Sequence, residues 1–408
     1  MKKFNKLLCL MLVFVAVMAA FCSVSFAQDF SNWSSKSNMI EGVWAFSSIS
    51  INDNIYVFGG YNSSQNVVGK LQMYDSNNDT WIEKKSMPTP RLSMSIAQVN
   101  GKIYTIGGCT EGIYTNITNI NQVYDPATDT WQTKKSMPVA LAQCATAVFD
   151  NNIYIFGGSK DNLLQNTVYV YDTLSDTWTT KTSMPTPRKS ATAVVANDLI
   201  YVLGGWNGTT SYGTVEAYNP LSDKWTNIAS MTEPKISVGA INIDGDIYIF
   251  GGLINSAVNG TNKIEKYSNE TNSWNVVGTL PDNRGALGTA FIKNSIYIFG
   301  GRDTTSNIYN SVYSYEIPQE PTDPGEPPVI TGNKAILEIV MTNGTIKEYD
   351  LSAQEIQQFL TWYDNRSAGT DKAYISIIKR SNVKPYISRN EYLQFKEIYS
   401  FEVKEYKE

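Results

Sequence analysis

Four basic side chains recur at one position of a repeating pattern, each four residues after a methionine or a leucine. They are Arg91, Arg188, Lys235 and Arg284, and Val43 and Leu141 stand at the same position in two further copies. A guanidinium can pair with a carboxylate through two parallel hydrogen bonds, so cations gathered on one face could hold an acidic ligand. The same groups could instead donate to nearby backbone carbonyls. The sequence leaves both roles open.

A second position varies in chemistry from copy to copy, and it directly follows a pair of glycines. Its occupants are Tyr61, Cys109, Ser159, Trp206, Leu253 and Arg302. Variation at a fixed position indicates a surface free to specialise for binding. Trp44 and Trp206 also fall outside the regular spacing of the other tryptophans, and an exposed indole can stack on a sugar or anchor a peptide. We therefore expect an acidic saccharide or an acidic peptide to contact Trp44, Tyr61, Arg91, Arg188, Trp206, Lys235, Arg284 and Arg302.

The elements that position these residues are copies of one segment about 50 residues long. The motif Ile-Tyr-x-(Phe/Ile/Leu)-Gly-Gly ends at Gly60, Gly108, Gly158, Gly205, Gly252 and Gly301. A tryptophan keeps the same rhythm at Trp33, Trp81, Trp131, Trp178, Trp225 and Trp274. This combination resembles the kelch repeat, in which each copy is a four-stranded blade of a β-propeller. The resemblance implies an all-β six-bladed propeller over residues 28–317, with its ring closed by the N-terminal strand that carries Trp33.

The repeated residues themselves suit packing and turns. Glycine pairs permit positive φ or the close approach of a neighbouring blade, and phased aromatic rings fill the gaps that widen towards the outside of a propeller. Acidic residues four apart, as in Asp75 to Asp79, could suggest calcium. Asp and Asn also bond to their own backbone two residues on, and a calcium loop needs more carboxylates in each copy. We therefore expect tight turns, with no metal and no cofactor.

The N-terminal segment predicts export. Residues 1–27 combine three lysines, an apolar run and a Ser-Phe-Ala cleavage pattern, which is typical of a signal peptide. The formal net charge of −5 becomes about −8 once these lysines are removed, and no basic run could hold a phosphate backbone. No later segment is apolar enough to span a membrane. We predict a secreted or cell-surface protein whose partner is an extracellular glycan or protein, without nucleic acid and with cell-wall association as an option.

Two cysteines remain beyond the signal peptide. Cys109 ends a second strand of one repeat, and Cys144 lies early in the first strand of the next. Both are expected at the same face of the propeller. The pair could therefore form a disulfide between neighbouring blades, or it could remain as two buried thiols.

A proline-rich stretch separates the repeats from a second domain. The sequence PQEPTDPGEPP cannot pair in a sheet, so residues 318–332 form a predicted linker. Residues 333–408 predict a small α+β domain, with a hairpin that turns at Asn343-Gly344 and a helix capped by Ser352 and Glu355. This part resembles a C-terminal module on secreted proteins of anaerobic Gram-positive bacteria. Its function is left open.

Histidine is absent from the sequence, which weighs against most catalytic readings. Copper oxidases resembling galactose oxidase, zinc hydrolases and His-based triads lose their usual ligand or base. The kelch family also includes secreted six-bladed sialic-acid epimerases, for which Glu41, Glu111, Glu233 or Asp282 would serve as the base. Their spacing pairs none of them with a partner. We favour a non-catalytic binding module, with a sugar-modifying enzyme of the epimerase type and a structural surface component as alternatives.

Overall fold

The structure, a computed structural model, describes residues 30–112, 115–254, 259–303, 307–318, 334–341, 346–367, 374–379, 389–394 and 398–406. The chain divides into two compact units, Met1–Ile317 and Pro318–Glu408. The first unit contains six four-stranded blades, which confirms the predicted all-β propeller. The predicted signal peptide, and the predicted linker beyond Pro318, lie outside the described residues.

Each of the first five blades is an antiparallel sheet of strands that follow one another in the chain, and the sixth joins three such strands to the N-terminal strand. The N-terminal segment and first blade contain β1 (Ser34–Lys36), β2 (Val43–Trp44), β3 (Ser47–Ile51), β4 (Asn54–Phe58), β5 (Tyr61–Asn62), β6 (Leu71–Asp75) and β7 (Thr80–Lys84). The second blade contains β8 (Ser95–Val99), β9 (Lys102–Ile106), β10 (Cys109–Gly112), β11 (Thr115–Ile117), β12 (Asn121–Asp125) and β13 (Thr130–Lys134). The third contains β14 (Ala145–Phe149), β15 (Asn152–Phe156), β16 (Ser159–Lys160), β17 (Leu163–Leu164), β18 (Val168–Asp172) and β19 (Thr177–Lys181).

The other three blades repeat the plan. The fourth contains β20 (Thr192–Ala196), β21 (Leu199–Leu203), β22 (Val215–Asn219) and β23 (Lys224–Ile228). The fifth contains β24 (Gly239–Ile243), β25 (Asp246–Phe250), β26 (Leu253–Ile254), β27 (Asn259–Ser268) and β28 (Ser273–Arg284), and the sixth contains β29 (Gly288–Ile292), β30 (Ser295–Phe299) and β31 (Val312–Glu316). The innermost strands β3, β8, β14, β20, β24 and β29 contact one another in that order around a central channel, and β29 contacts β3.

Burial along a strand follows from its place in the blade. The second strand β9 has neighbours on both faces, so its residues from Ile103 to Ile106 are all buried. In the outer strand β13, Trp131 is half-buried and the two residues after it are exposed. Tyr124 of β12 pairs with Trp131, which sets two large rings side by side at the edge of the blade.

The glycine pairs lie where the connection to the next blade crosses them. Gly107 and Gly108 have φ angles of 66° and 92°. A Cβ on Gly107 would lie 2.3 Å from the carbonyl oxygen of Leu141, in that connection. The N–H of Gly108 donates to the same carbonyl at 2.9 Å. Positive φ and close approach together exclude a side chain at this place.

The phased tryptophans join each blade to the preceding one. Trp131 Nε1 donates to the carbonyl of Lys85 at 2.8 Å. The N–H of Lys85 donates in turn to Asp129 Oδ1 at 3.0 Å, and the Tyr124 hydroxyl donates to the same oxygen at 2.7 Å. Equivalent bonds surround Trp81, Trp178, Trp225 and Trp274. At the start of the turn, Asp125 accepts from the N–H two residues on, so the acidic pairs shape turns and tie blades together.

The N-terminal strand pairs with the sixth blade. β1 runs antiparallel to β31, with Ser34 opposite Ser314. Trp33 Nε1 donates to the carbonyl of Thr279 at 3.1 Å, the bond that the other phased tryptophans make. Phe30 is buried between the fifth and sixth blades, where it contacts aromatic rings of both.

The second unit contains β32 (Lys334–Met341), β33 (Ile346–Ser352), α1 (Ala353–Ser367), β34 (Tyr374–Lys379), β35 (Arg389–Gln394) and β36 (Ile398–Tyr406). β32 pairs with both β33 and β36, and β34 pairs with β35. Glu355 accepts hydrogen bonds from the N–H and the hydroxyl of Ser352, at 2.8 and 2.6 Å, which caps α1. The predicted turn at Asn343-Gly344 lies outside the described residues. Among the residues described, no helix is long and apolar enough to cross a membrane.

Candidate functional site

A ring of six residues, one from each blade, surrounds the end of the channel at which the glycine pairs lie. The members of this mouth ring are Ala45, Ser93, Gln143, Ser190, Ser237 and Ala286, with φ between 49° and 59°. Non-glycine residues adopt positive φ uncommonly. From Ser93 to Ala286, each N–H donates to the carbonyl of the equivalent residue in the preceding blade, over 2.7 to 3.0 Å. These backbone N–H and carbonyl groups are therefore already hydrogen-bonded within the ring, so a ligand would meet mainly side chains.

A cavity of about 390 Å³ lies at the mouth ring. We call it the mouth cavity, and every blade contributes to its lining. Beside the ring it is lined by Phe46, Met94, Cys144, Ala191, Thr192, Ile236, Val238 and Leu287, and by Trp44, Trp206, Leu253 and Arg302 from the loops. Its volume falls in the range of about 300 to 1,000 Å³ of small-molecule sites. Among the described residues that line it, Arg302 carries the only charged side chain.

Two residues of the predicted ligand set meet at one corner of the mouth cavity, and a third, Tyr61, contacts one of them without lining the cavity. The guanidinium carbon of Arg302 lies 4.2 Å from the centroid of the Trp44 ring. Tyr61 pairs with Trp44 between β5 and β2, and its ring meets the indole edge-on at 5.9 Å. A cation held against an indole is attracted by the electron-rich face of the ring. This corner of the cavity therefore combines a positive charge with one aromatic surface, that of Trp44.

Trp206 lies on the other side of the mouth cavity. It follows the glycine pair of blade four, whereas Trp44 lies just before the innermost strand of blade one. These two blades are three apart in a ring of six. The N–H of Trp206 donates to the carbonyl of Lys189 at 2.8 Å, and a second bridge joins Trp206 to Ser211. These backbone bonds fix a partly exposed indole at the rim. The cavity thus lies between two tryptophans.

The four repeated cations are buried in the blades, which corrects the expectation that they face a ligand. Their exposed fractions are 0% for Arg91, Lys235 and Arg284 and 1% for Arg188. Arg91 Nη1 donates to the carbonyl of Gly107 at 2.8 Å, and its Nη2 donates to Gln122 Oε1 at 2.8 Å. Burial lowers the pKa of Arg91 to about 10, so its charge persists at neutral pH. The guanidinium donates hydrogen bonds to backbone carbonyls that have no strand partner because of the glycine turn.

The other arginines repeat this arrangement. Arg188 Nη1 donates to the carbonyl of Gly204 at 2.8 Å, and Arg284 Nη1 donates to that of Gly300 at 3.3 Å. In each case the acceptor is the first glycine of the pair in the blade that follows the arginine. The sequence had left a structural role open, and the structure assigns that role to these cations.

Each cation also has a partner on the third strand of the blade that follows it, about 30 residues further along the chain. The partners are Gln122 for Arg91, Glu216 for Arg188, Glu265 for Lys235 and Tyr313 for Arg284. Glu216 and Glu265 are themselves buried, so each forms an ion pair inside a blade. This pairing of two positions within a repeat is the signal that would have favoured the structural role from sequence.

Cys109 and Cys144 do not form a disulfide in the structure. Cys144 lines the mouth cavity, and its thiol donates to the carbonyl of Gly157 at 3.4 Å. Burial raises the pKa of the Cys144 thiol to about 12, and Cys109 contributes to the shift. The thiol is therefore protonated at neutral pH, which makes it a poor nucleophile.

The carboxylates considered as catalytic bases do not line the mouth cavity. Three of them form ion pairs instead: Glu41 with Lys70, Glu233 with Lys263 and Asp282 with Arg284. Glu111 lies on β10. Across the part of the chain that the structure describes, no three residues of the types His, Cys, Asp or Glu are grouped to hold a metal ion.

The mouth ring was not predicted from the sequence. Its members stand two positions after the cation position, as in Arg91-Leu-Ser93 and Arg188-Lys-Ser190. They are small in every blade except the third, which has Gln143. The available signal was a small residue that recurs two positions after the cation position. A close approach of all six blades at the channel end explains why this residue is small.

Comparisons with known proteins agree with this architecture. The family model of the Attractin/LZTR1 β-propeller matches residues 19–259. An uncharacterized protein of Clostridium acetobutylicum is 36% identical over 74 residues, which cover 18% of this chain and 19% of that protein. β-Scruin of Limulus polyphemus is 32% identical over 73 residues, covering 16% and 8%, and Kelch-like protein 26 of Danio rerio is 30% identical over 78 residues, covering 19% and 13%.

These matches are short, and the chain spans a fifth or less of the length of each curated relative. Among solved structures, that of YjhT superposes with a TM-score of 0.60 at 17% identity, over 68% of this chain and 96% of that chain. Such a likeness concerns the fold alone.

Proposed function

Because the chain belongs to the Attractin/LZTR1 β-propeller family and forms a six-bladed propeller of kelch type, we propose that it is a non-catalytic binding module whose ligand occupies the mouth cavity. Membership of a propeller family supports the fold and leaves the ligand open. The ligand class must therefore be argued from the cavity. Loops held by a rigid ring lose little conformational entropy on binding, which favours affinity.

The observation that carries the proposal is a single cavity between two tryptophans. Trp44 and Trp206 both line it, from opposite sides of the ring. An indole offers a flat apolar face with a polar N–H at its edge, which suits the mixed surface of a sugar. A volume of about 390 Å³ suits a small unit such as one sugar residue or one side chain. We infer one sugar residue of a glycan as the first ligand class, and a protein side chain as the alternative.

Arg302 sets the preferred charge of the ligand. Its guanidinium is the charged group among the described lining residues, and guanidinium groups only donate hydrogen bonds. A carboxylate is the acceptor that matches it best. We infer that an acidic saccharide, or an acidic side chain of a partner protein, binds in preference to a neutral one.

The proposed place of action is outside the cell or at its surface. Residues 1–27 support export, since they combine lysines, an apolar run and a small-residue cleavage pattern. The register of β1 on β31 supports closure of the ring by the N-terminal strand. For the second unit we propose a separate α+β domain, supported by its own buried core around Leu337 and Ile356, with an accessory role in attachment to a cell wall or partner.

A glycan array that includes acidic sugars tests the proposal. The purified protein is applied beside its Trp206→Ala variant, and we expect at least one acidic glycan to be retained by the first and lost by the second. Retention by both proteins would place the binding site elsewhere. A retained sugar that is chemically altered after incubation would favour the enzyme alternative, and a blank array would favour a protein ligand or a structural component.

A further inference from the structure

The mouth ring is chemically uneven around its circumference. Its two alanines, Ala45 and Ala286, belong to blades one and six, beside the pair formed by Trp44 and Arg302. The other members carry polar side chains and form an arc through blades two to five: Ser93, Gln143, Ser190 and Ser237. The mouth ring itself is therefore apolar next to Arg302 and polar on the opposite side.

Within this arc Gln143 stands apart. It has the one long side chain of the mouth ring, and it lines the mouth cavity. Its Oε1 atom is buried and receives no hydrogen bond from any residue that the structure describes. Leaving a buried amide oxygen without a donor costs free energy, so native proteins supply a protein group, a water or a ligand. Gln143 also lines the cavity, so a rotation of its side chain would let a ligand there supply this donor.

Gln143 and Arg302 lie on opposite sides of the mouth cavity. Gln143 belongs to blade three and Arg302 to blade six, as far apart as two blades in a ring of six can be. Trp44 and Trp206 form a second diagonal across the same cavity. Arg302 can only donate hydrogen bonds, and Gln143 Oε1 can only accept them. A ligand that spans the first diagonal needs an acceptor at one end and a donor at the other.

We propose that Gln143 is the specificity-determining residue of the mouth cavity, and that its Oε1 accepts a hydrogen bond from a hydroxyl or N–H group of a saccharide whose acidic end reaches Arg302. This inference rests on the proposed function and narrows it. The ligand is a sugar with a carboxylate at one end and a hydroxyl or amide donor at the other, lying between the two indoles. A site built to receive a donor strongly rejects an analogue that lacks it.

Gln143→Leu tests the proposal because leucine has a similar size and no acceptor. Gln98→Leu is the matched control, since Gln98 lines a separate cavity of about 290 Å³ along the inner strands and not the mouth cavity. Without ligand, thermal unfolding of Gln143→Leu is expected at or above the temperature of the unmodified protein, because an unpaired polar group is removed. A fall of more than about 5 °C would assign Gln143 a structural role and overturn the proposal.

Binding is measured by calorimetry with galacturonic acid, glucuronic acid, N-acetylglucosamine and galactose, and with a deoxy analogue of whichever binds tightest. We expect Gln143→Leu to weaken the tightest sugar at least tenfold and to bind sugar and deoxy analogue equally, while Gln98→Leu behaves as the unmodified protein. Equal binding by Gln143→Leu, combined with loss of binding in Arg302→Gln, would overturn this inference and leave the proposed function standing. Failure of the unmodified protein to bind any of these sugars would overturn this inference together with the saccharide as ligand class, and would favour a protein ligand or a structural component.

Discussion

The guanidinium of Arg302 stacks on the indole of Trp44, with 4.2 Å between the guanidinium carbon and the ring centroid. Four other cations at a repeated position lie inside the blades, where Arg91, for example, donates to a glycine carbonyl. Arg302 is also largely buried, at 8% exposed, but it follows the glycine pair and lines the mouth cavity. The position of a cation within the repeat therefore decides whether it lies inside a blade or lines the mouth cavity.

Arg302→Gln should show whether the positive charge of Arg302 determines which ligands bind. Glutamine retains hydrogen-bonding capacity and loses the positive charge, so we expect galacturonic acid to bind about tenfold more weakly while galactose is unaffected. Calorimetry with the two sugars measures the difference. Lys160→Gln, at an exposed position on β16, is the control for net charge. An equal loss for both sugars would contradict a role of Arg302 in charge selection.

Arg188→Ala should destabilise the fold. The change leaves Glu216, which is 3% exposed, as an unpaired charge inside blade four, and we expect a loss of about 3 to 5 kcal/mol in the free energy of unfolding. Urea denaturation measures it. Blade three supplies the matched rescue, because Leu141 and Tyr169 occupy the equivalent positions there.

The double variant Arg188→Leu, Glu216→Tyr should therefore regain most of the lost stability. If Arg188→Ala instead unfolded within about 1 kcal/mol of the unmodified protein, the buried pair would have no framework role.

Gly107→Ala should also be costly. Gly107 has a φ of 66°, and an added Cβ would lie 2.3 Å from the carbonyl oxygen of Leu141. We expect a loss of at least about 1 to 3 kcal/mol, measured by urea denaturation. Gly112→Ala is the control, because the nearest atom to its Cβ would be 3.8 Å away, on Thr115. Similar stabilities of the two variants would contradict the close crossing of neighbouring blades.

Acid should loosen the joints between blades. The Tyr124 hydroxyl and the N–H of Lys85 hold the pKa of Asp129 below its usual value, and bonds from the equivalent tyrosines lower the pKa values of Asp176 and Asp223. A carboxylate whose pKa is lower in the folded state stabilises the fold above its unfolded value, about 3.9. That contribution is lost as the pH falls through the folded value. We expect the unfolding temperature to be steady from about pH 5 to 7 and to fall below about pH 4.

The matched variant is Asp129→Asn, Asp176→Asn, Asp223→Asn, because Asn272 already occupies this position in blade five and accepts the same bonds. Thermal scans between about pH 2 and 7 should show a shallower fall in this variant, since fewer depressed carboxylates titrate. An unchanged acid slope would mean that these aspartates do not contribute.

The framework could be predicted from sequence because each of its residues meets the same physical requirement in every blade, and so recurs at a fixed spacing. Gly107 must lack a Cβ, and Trp131 must fill an outer gap and reach a carbonyl, so both recur in phase. The burial of Arg188 could not be predicted from its position alone. Whether a cation at the loop face turns outwards depends on nearby carbonyls without partners, here that of Gly204, and these exist only once the turn has folded.

The mouth ring was missed for a related reason. Ser93 and Gln143 adopt positive φ through contact with neighbouring blades, and neither residue type signals that conformation locally. The corner formed by Trp44 and Arg302 joins residues from the two ends of the repeat array. Sequence could propose each as a ligand contact, but their stacking follows from pairing between the first and last blades.

The most direct test of the central claim, that the ligand binds at the mouth cavity, is calorimetry of the tightest array sugar with Trp206→Ala and Leu221→Ala. Leu221 is 79% exposed and lies in the same blade, on the turn between its third and fourth strands. Successive connections of an antiparallel blade alternate between its two ends, so this turn lies at the end opposite Trp206. We expect Trp206→Ala to bind the sugar at least tenfold more weakly and Leu221→Ala to bind it as tightly as the unmodified protein. Full binding by Trp206→Ala, or an equal loss in both variants, would contradict the claim.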